Sequence, residues 1–264
     1  MSGTISSWGP ARVYFRDWTY FRFVWRTAVF GSVVQPVMYL LGVGLGIGEL
    51  VDGGPAGPDA LGGVSYFAFY ATALIATTSM FVLGQESLWP TMDGFTWSEA
   101  HQAMISTPLT SRDVALGKGL YYGLRGLVSS AGVALVLACF TETRSWGLLP
   151  AIPVGVLTGL AFAMPFAAWV ATRHTDNSFS ALLRFGVVPM FLFGGAFYPI
   201  DQLPPWLEFV ARLTPIWHGI ELCRGLVLGG LEPMAGLVHL LVLLGFVTAG
   251  SIAATITFDR RLRP

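Results

Sequence analysis

The chain has 264 residues, of which 54% are hydrophobic and only 11% charged, and its formal net charge is zero. Soluble domains carry about 25% charged residues, so a soluble globular domain is excluded. Uncharged apolar gaps of about 18 residues or more read as transmembrane helices, so the class is an integral membrane protein with an all-α fold. No nucleic-acid partner is expected.

The N-terminus, "MSGTISSWGPARVYFRDW", lacks the short apolar core and small-residue cleavage site of a signal peptide. Residues 11–26 then read as an interfacial amphipathic helix. Tyr14, Trp18, Phe21 and Trp25 recur on one helical face, and Arg12, Arg16, Arg22 and Arg26 cluster on the other. Aromatics suit the headgroup boundary and arginines the water beside it. The helix serves either as a topology anchor or also as a contact for a cytoplasmic partner.

Six segments are long enough to cross roughly 30 Å of hydrocarbon. They are 27–48, 64–83, 119–140, 148–171, 181–200 and 237–258. Pro36, Pro153, Pro165 and Pro189 fall inside them, as membrane helices tolerate when neighbours satisfy the freed carbonyls. Lys and Arg placement orients the chain. With both termini in the cytoplasm, eleven bases lie inside and three outside, and Arg125 lies in the third span near its inner end. The first outer loop, "ELVDGGPAGPDALGG", carries three acids and no base.

The longest cytoplasmic loop is 84–112. Thr96 and Glu99 stand at capping-box spacing before a helix of about ten residues that Pro108 ends. Such a helix is too short to stand alone and needs a protein surface to lie on. Between the fifth and sixth spans, residues 201–230 read as two short helices dipping into the outer leaflet. The first, 203–213, carries Trp206, Phe209, Val210 and Leu213 on one face and pairs Glu208 with Arg212. The second starts at Thr214–Pro215 and stops at Gly229–Gly230. Neither is long enough to cross, so this re-entrant hairpin should cap a protein surface or wet cavity. His218, Glu221 and Arg224 form a polar stripe that is either a solvated face or the lining of an outer exit.

Few residues carry chemistry. No P-loop occurs, and "GVGLGIG" fails the dinucleotide pattern. His101, His174, His218 and His239 are far apart in sequence, without metal-ligand spacing. "LVSSAG" (127–132) approaches a serine nucleophile motif, but its serines read as packing residues. The chain is not expected to be an enzyme by itself or to bind a cofactor. Cys139 and Cys223 read as buried thiols or, less simply, as a disulfide. Arg125 and Arg184 either snorkel to the inner interface or contact an anionic substrate group, and Glu86 is the acid available to pair with either.

Five runs carry a family resemblance: "QPVMYLLGVGLGIG", "SYFAFYATALIATTSM", "STPLTSRDVALGK", "LTGLAFA" and "FLFGGAFYPIDQLPPWLEFVARLTPIWHGIELCR". The chain resembles the ABC-2 type permeases over nearly its whole length, nearest to the nodulation lipo-oligosaccharide and drug-resistance export permeases. The resemblance implies one transmembrane domain over 1–264 in the bacterial cytoplasmic membrane, with 84–112 as the coupling loop. It also implies a second permease subunit, identical or paralogous, surrounding membrane lipids and a cytoplasmic ABC ATPase that holds ATP and Mg. Thr96, Trp97, Glu99, His101 and Met104, with Arg12 and Arg16, would face that ATPase. Pro204, Pro205, Trp206, Pro215, Trp217, His218, Glu221 and Arg224 would form the outer gate. The implied function is ATP-driven export of an amphipathic, lipid-linked or drug-like molecule. The alternative, a self-contained secondary carrier, calls for midplane acids or inverted repeats, and the sequence has neither.

Overall fold

The structure is a computed structural model describing residues 8–54 and 61–263. The first seven residues, on which the absence of a signal peptide was read, and residues 55–60 of the acidic loop lie outside the described residues. The described residues form helices and no strand. The helices are α1 (Gly9–Tyr39), α2 (Gly48–Asp52), α3 (Tyr66–Thr96), α4 (Ala100–Ile105), α5 (Ser111–Leu137), α6 (Leu148–Val170), α7 (Phe179–Leu182), α8 (Val188–Phe193), α9 (Pro205–Arg212), α10 (Pro215–Leu228) and α11 (Pro233–Leu262). Among the described residues five helical segments are long and apolar enough to cross a membrane: Val29–Asp52, Tyr66–Thr96, Ser111–Leu137, Leu148–Val170 and Pro233–Leu262. The stretch Phe179–Phe193 is apolar but shorter.

The α3–α6 pair is the centre of the molecule. Gly155 and Gly159 let the two backbones approach: a Cβ at Gly159 would stand 2.7 Å from a Leu83 methyl and 3.0 Å from the Ser79 carbonyl oxygen. Small residues at such positions let helices pack without a side chain between them. The order of contacts, Gly155 on Ile75 and Gly159 on Leu83, makes the two helices parallel. Helix α5 runs against both, with Ser130 on Ser79 and Arg125 on Glu86. Helix α1 lies parallel to α5, as Val13 meets Gly117 and Asp17 meets Lys118. Helix α11 follows α6, with Gly250 opposite Pro165 and Arg261 donating to the Val170 carbonyl. One end of the bundle therefore holds the start of α1, the ends of α3, α6 and α11, and α4; it is called the terminal end below. The opposite, distal end holds α2, the starts of α3, α6 and α11, and the end of α10.

Several elements differ from the sequence expectation. The interfacial segment and the start of the first span form one continuous helix, α1, because neither glycine nor proline stands at their junction, Trp25–Ala28, to break it. Its buried face at this end is Pro10, Val13, Asp17 and Phe21, packed on α5, and Trp25 is exposed. Helix α3 continues past the expected end at 83 as far as Thr96, with Pro90 inside it. Thr96 and Glu99 form no capping box. Thr96 is the last residue of α3, and Glu99 adopts a left-handed φ of 50° where the chain turns into the six-residue α4. The capping box lies instead at Thr110–Asp113, where each side chain bonds the other's backbone N–H at the start of α5.

The fifth apolar segment ends at Phe193, seven residues before the expected boundary, and is interrupted by a π-helical turn over Leu183–Val187 just before Pro189. Proline lacks the N–H that would continue the ladder, which is an identifiable cause of such irregularity. Thr214 stands at the N-cap of α10, but its hydroxyl donates back to the Ala211 carbonyl and caps nothing. Both ends of α10 fall where the sequence put them, with Gly229 at a φ of 88° closing it.

Candidate functional site

At the terminal end, α1, α3 and α5 surround a cavity of about 760 Å³. Three ion pairs form part of its wall. Lys118 Nζ donates to Asp17 Oδ2 at 3.0 Å, with both side chains only 6% exposed, and Arg16 reaches the other Asp17 oxygen at 2.9 Å. Arg125 Nε donates to Glu86 Oε2 at 3.3 Å, and the guanidinium lies 5.3 Å from the centre of the Phe21 ring. One guanidinium nitrogen of Arg125 is buried without a hydrogen-bond partner. Arg125 and Glu86 therefore meet, as the sequence allowed, whereas Arg184 is exposed elsewhere on the π-helical turn. Asp17 was not singled out in the sequence. Its signal is a lone acid on a face otherwise made of Pro10, Val13 and Phe21, and its partner lies 101 residues away.

Helix α4 lies across this end. His101 is buried between the rings of Phe95, centroids 4.5 Å apart, and Phe258, 5.7 Å apart, and neither ring nitrogen has a hydrogen-bond partner. Burial, followed by the charges of Lys118, Arg16 and Arg261, holds it neutral, with a pKa well below the usual histidine range. His101 thus anchors the helix and is not presented outward. Met104 is half-buried, whereas Trp97, Glu99 and Arg12 are exposed. Arg261 ties the end of α11 to α3 through Thr96 Oγ1 at 3.1 Å. A groove of about 310 Å³ runs between α1 and α4, with Arg12, Arg16, Ala103 and Met104 in its lining.

The distal end is closed differently. Gly219 of α10 meets Thr158 in α6, Cys223 Sγ lies 3.9 Å from the Ala151 carbonyl oxygen, and Gly147 meets Leu226. Helix α10 is therefore antiparallel to α6, and its fifth residue, Gly219, lies about ten residues, roughly 15 Å, along α6 from Leu148. His218 is buried: its Nε2–H donates to the Arg212 carbonyl at 2.9 Å, which leaves Nδ1 to accept from Nδ1–H of His239 at 2.7 Å. Trp217 packs edge-on to both imidazoles. Arg224 bonds Glu221 on its own helix, donates to the Gly195 carbonyl at 2.7 Å and lies 3.6 Å over the Phe69 ring. His218 and Arg224 therefore face the interior, which corrects the reading of a solvated stripe. Pro204, Pro205 and Trp206 are exposed, as are Phe209 and Val210 on α9 and Leu213 just past it, while Pro215 is buried at the first position of α10. Cys139 and Cys223 are both free thiols; Cys223 is buried, whereas Cys139 is exposed, which corrects the reading of both as buried.

Five helical segments of lipid-spanning length among the described residues, with ion pairs buried between them, define a multi-pass membrane protein. Residues 11–228 match the family model described as "ABC-2 type transporter", and the chain belongs to that family. It is 30% identical to "Nodulation protein J" of Rhizobium leguminosarum bv. viciae over 236 residues, 89% of this chain and 88% of that protein. It is 32% identical to the protein of the same name from R. leguminosarum bv. trifolii, covering 76% and 74% of the two chains. A third, from Rhizobium meliloti, is 28% identical over 98% of this chain and 96% of its own length.

Proposed function

We propose that this chain is the membrane subunit of an ATP-driven exporter that moves an amphipathic or lipid-linked molecule outward, with its terminal end in the cytoplasm. The observation that carries the reading is α4, a six-residue helix held at that end by a buried histidine and bordered by the α1 groove. A helix this short has no stability of its own, and its fixed position suits it to receive force from a docked protein. The family match supports a cytoplasmic ATPase as that protein, holding ATP and Mg outside this chain. Eleven arginines and lysines on the side assigned to the cytoplasm support the orientation.

The single domain runs through the whole chain, as six spans. Phe179–Phe193 and α10 lie as two half-length pieces, and α9–α10 form a re-entrant cap supported by the depth at which α10 begins. Trp206 and Phe209 of α9 and Leu213 just past it face lipid in the outer leaflet. A second permease subunit completes the lane, and Arg125 with Glu86 borders its inner mouth.

The test is purification of the full chain from its native membrane with whatever ATPase accompanies it. Trp97→Ala and Glu99→Arg are expected to leave the subunit inserted while uncoupling ATP hydrolysis from export. Transport by the chain alone, driven by an ion gradient and indifferent to nucleotide, overturns the proposal in favour of a secondary carrier.

A further inference from the structure

The charges around the terminal-end cavity do not cancel locally. Three bases line it, Arg16, Lys118 and Arg125, with three acids, Asp17, Glu86 and Asp93. Asp17 engages both Arg16 and Lys118, and Glu86 engages Arg125. Every base is thus held by an acid of the wall, and Asp93 is the acid with no ion-pair partner among the described residues. Its surroundings are aromatic. Trp89, Asp93 and Trp97 follow one another at intervals of four, on one face of the last turns of α3, and Tyr20 contributes from α1. Trp97 and Tyr20 are more than half exposed. Trp89 is fixed by its indole N–H, which donates to Asp176 at 3.3 Å, and by the Phe179 ring at its edge. Asp93 is itself exposed, at the rim of the cavity, and an unpaired carboxylate beside aromatic side chains is the chemistry that recognises an ammonium group. Tryptophans near the end of a membrane-length helix also suit the boundary where headgroups sit.

We infer that this cavity binds the ammonium head of an amphiphile, with Asp93 supplying the charge and Trp97, Trp89 and Tyr20 the aromatic wall. The inference rests on the proposed export function and names the headgroup chemistry its inner mouth accepts. Acyl chains of such a ligand remain in lipid. The half-exposed Arg16 beside Asp17 and Lys118 gives the opposite side of the cavity a positive excess, which suits an ammonium that carries a phosphate next to it.

The test uses the full chain in nanodiscs of uncharged glycolipid. Three tail-labelled probes of one chain length are titrated: an alkylammonium, a phosphatidylethanolamine and an uncharged glycoside. Both ammonium probes are expected to bind at least about tenfold more tightly than the glycoside. Asp93→Asn is expected to erase that preference, and Trp97→Leu to weaken it several-fold. Because Asp93 holds no partner, Asp93→Asn should leave the thermal midpoint unchanged, and Glu208→Gln on α9 serves as a matched charge removal that leaves binding intact. Tighter binding of the ethanolamine probe identifies a phospholipid-type head, and tighter binding of the alkylammonium identifies a simple amine; either order supports the site. Equal affinity for all three probes, or a preference that survives in Asp93→Asn, overturns it. That failure leaves the ATPase co-purification result untouched, so the two proposals fall separately.

Discussion

The two ends of the bundle are tied by different physics. At the terminal end, α1, α3 and α5 are joined by full charges across helices, Asp17–Lys118 and Glu86–Arg125. At the distal end, the one ion pair of α10, Arg224–Glu221, lies within the helix and travels with it. Its links to other elements are hydrogen bonds, charge-assisted from Arg224 to the Gly195 carbonyl and neutral from His218 to His239 and from Ser145 to the Val227 carbonyl. Separating a buried ion pair strands a charge and costs about 3–5 kcal/mol, whereas a neutral hydrogen bond is worth roughly 0.5–1.5 kcal/mol and one from a charged donor about 1.5–3 kcal/mol. The distal end is therefore the end that can part at modest cost, and the terminal end is the one that must move as a block.

The sharpest way to break this contrast is Lys118→Met. It leaves Asp17 buried with only Arg16, itself half-exposed, for company. The expected loss is about 3–5 kcal/mol in denaturant or thermal unfolding of the purified chain. Adding Asp17→Leu removes the stranded charge and is expected to recover a large part of it. A single-mutant loss below about 1 kcal/mol would mean the terminal end is no stiffer than the distal one.

At the distal end, His218→Phe removes one partner from the imidazole pair and leaves the Arg212 carbonyl unpaired, for an expected loss of about 1–3 kcal/mol. The readout is the denaturant midpoint of the purified chain, and a loss matching that of Lys118→Met would erase the contrast between the two ends.

Much of this was legible in the sequence where the signal is local. Pro215 and Gly229 bracket α10 because one fixes φ and lacks an N–H, and the other accepts a positive φ. Glu208 and Arg212 meet because a helix brings i and i+4 together. The Thr96–Glu99 spacing misled for the same local reason: the pattern fits a cap, but α3 continues to pack on its neighbours and consumes Thr96. The cross-helix pairs were illegible, since nothing within a few residues of Asp17 or His239 names a partner 101 or 21 positions away. Histidines scattered along the chain read as unrelated until α10 and α11 set two of them side by side.

A gain is expected at the α3–α4 turn. Glu99 is the non-glycine residue held at positive φ among the described residues, and Cβ crowding there costs about 1–2 kcal/mol. Glu99→Gly relieves this and is expected to stabilise the chain by about 1 kcal/mol after the added backbone freedom is counted. The readout is the thermal midpoint, with Glu99→Gln as the control that keeps the Cβ and should show no gain. A gain shared by both variants would assign the effect to the lost charge instead.

The smallest effect belongs to Glu208–Arg212 on α9, the more exposed of the ion pairs on α9 and α10. Its N–O distance is short, 2.6 Å, but the Arg212 side chain is 54% exposed, so solvent and salt screen it. Glu208→Gln is expected to cost about 0.3–0.5 kcal/mol, as for other i, i+4 helix pairs, and the cost should vanish in about 1 M salt, where screening acts within roughly 3 Å. The Lys118→Met loss should persist at that salt concentration, because its pair is sealed from ions. Geometry alone ranks the short α9 pair above the longer terminal-end pair; burial reverses the order, and the two salt responses decide which governs.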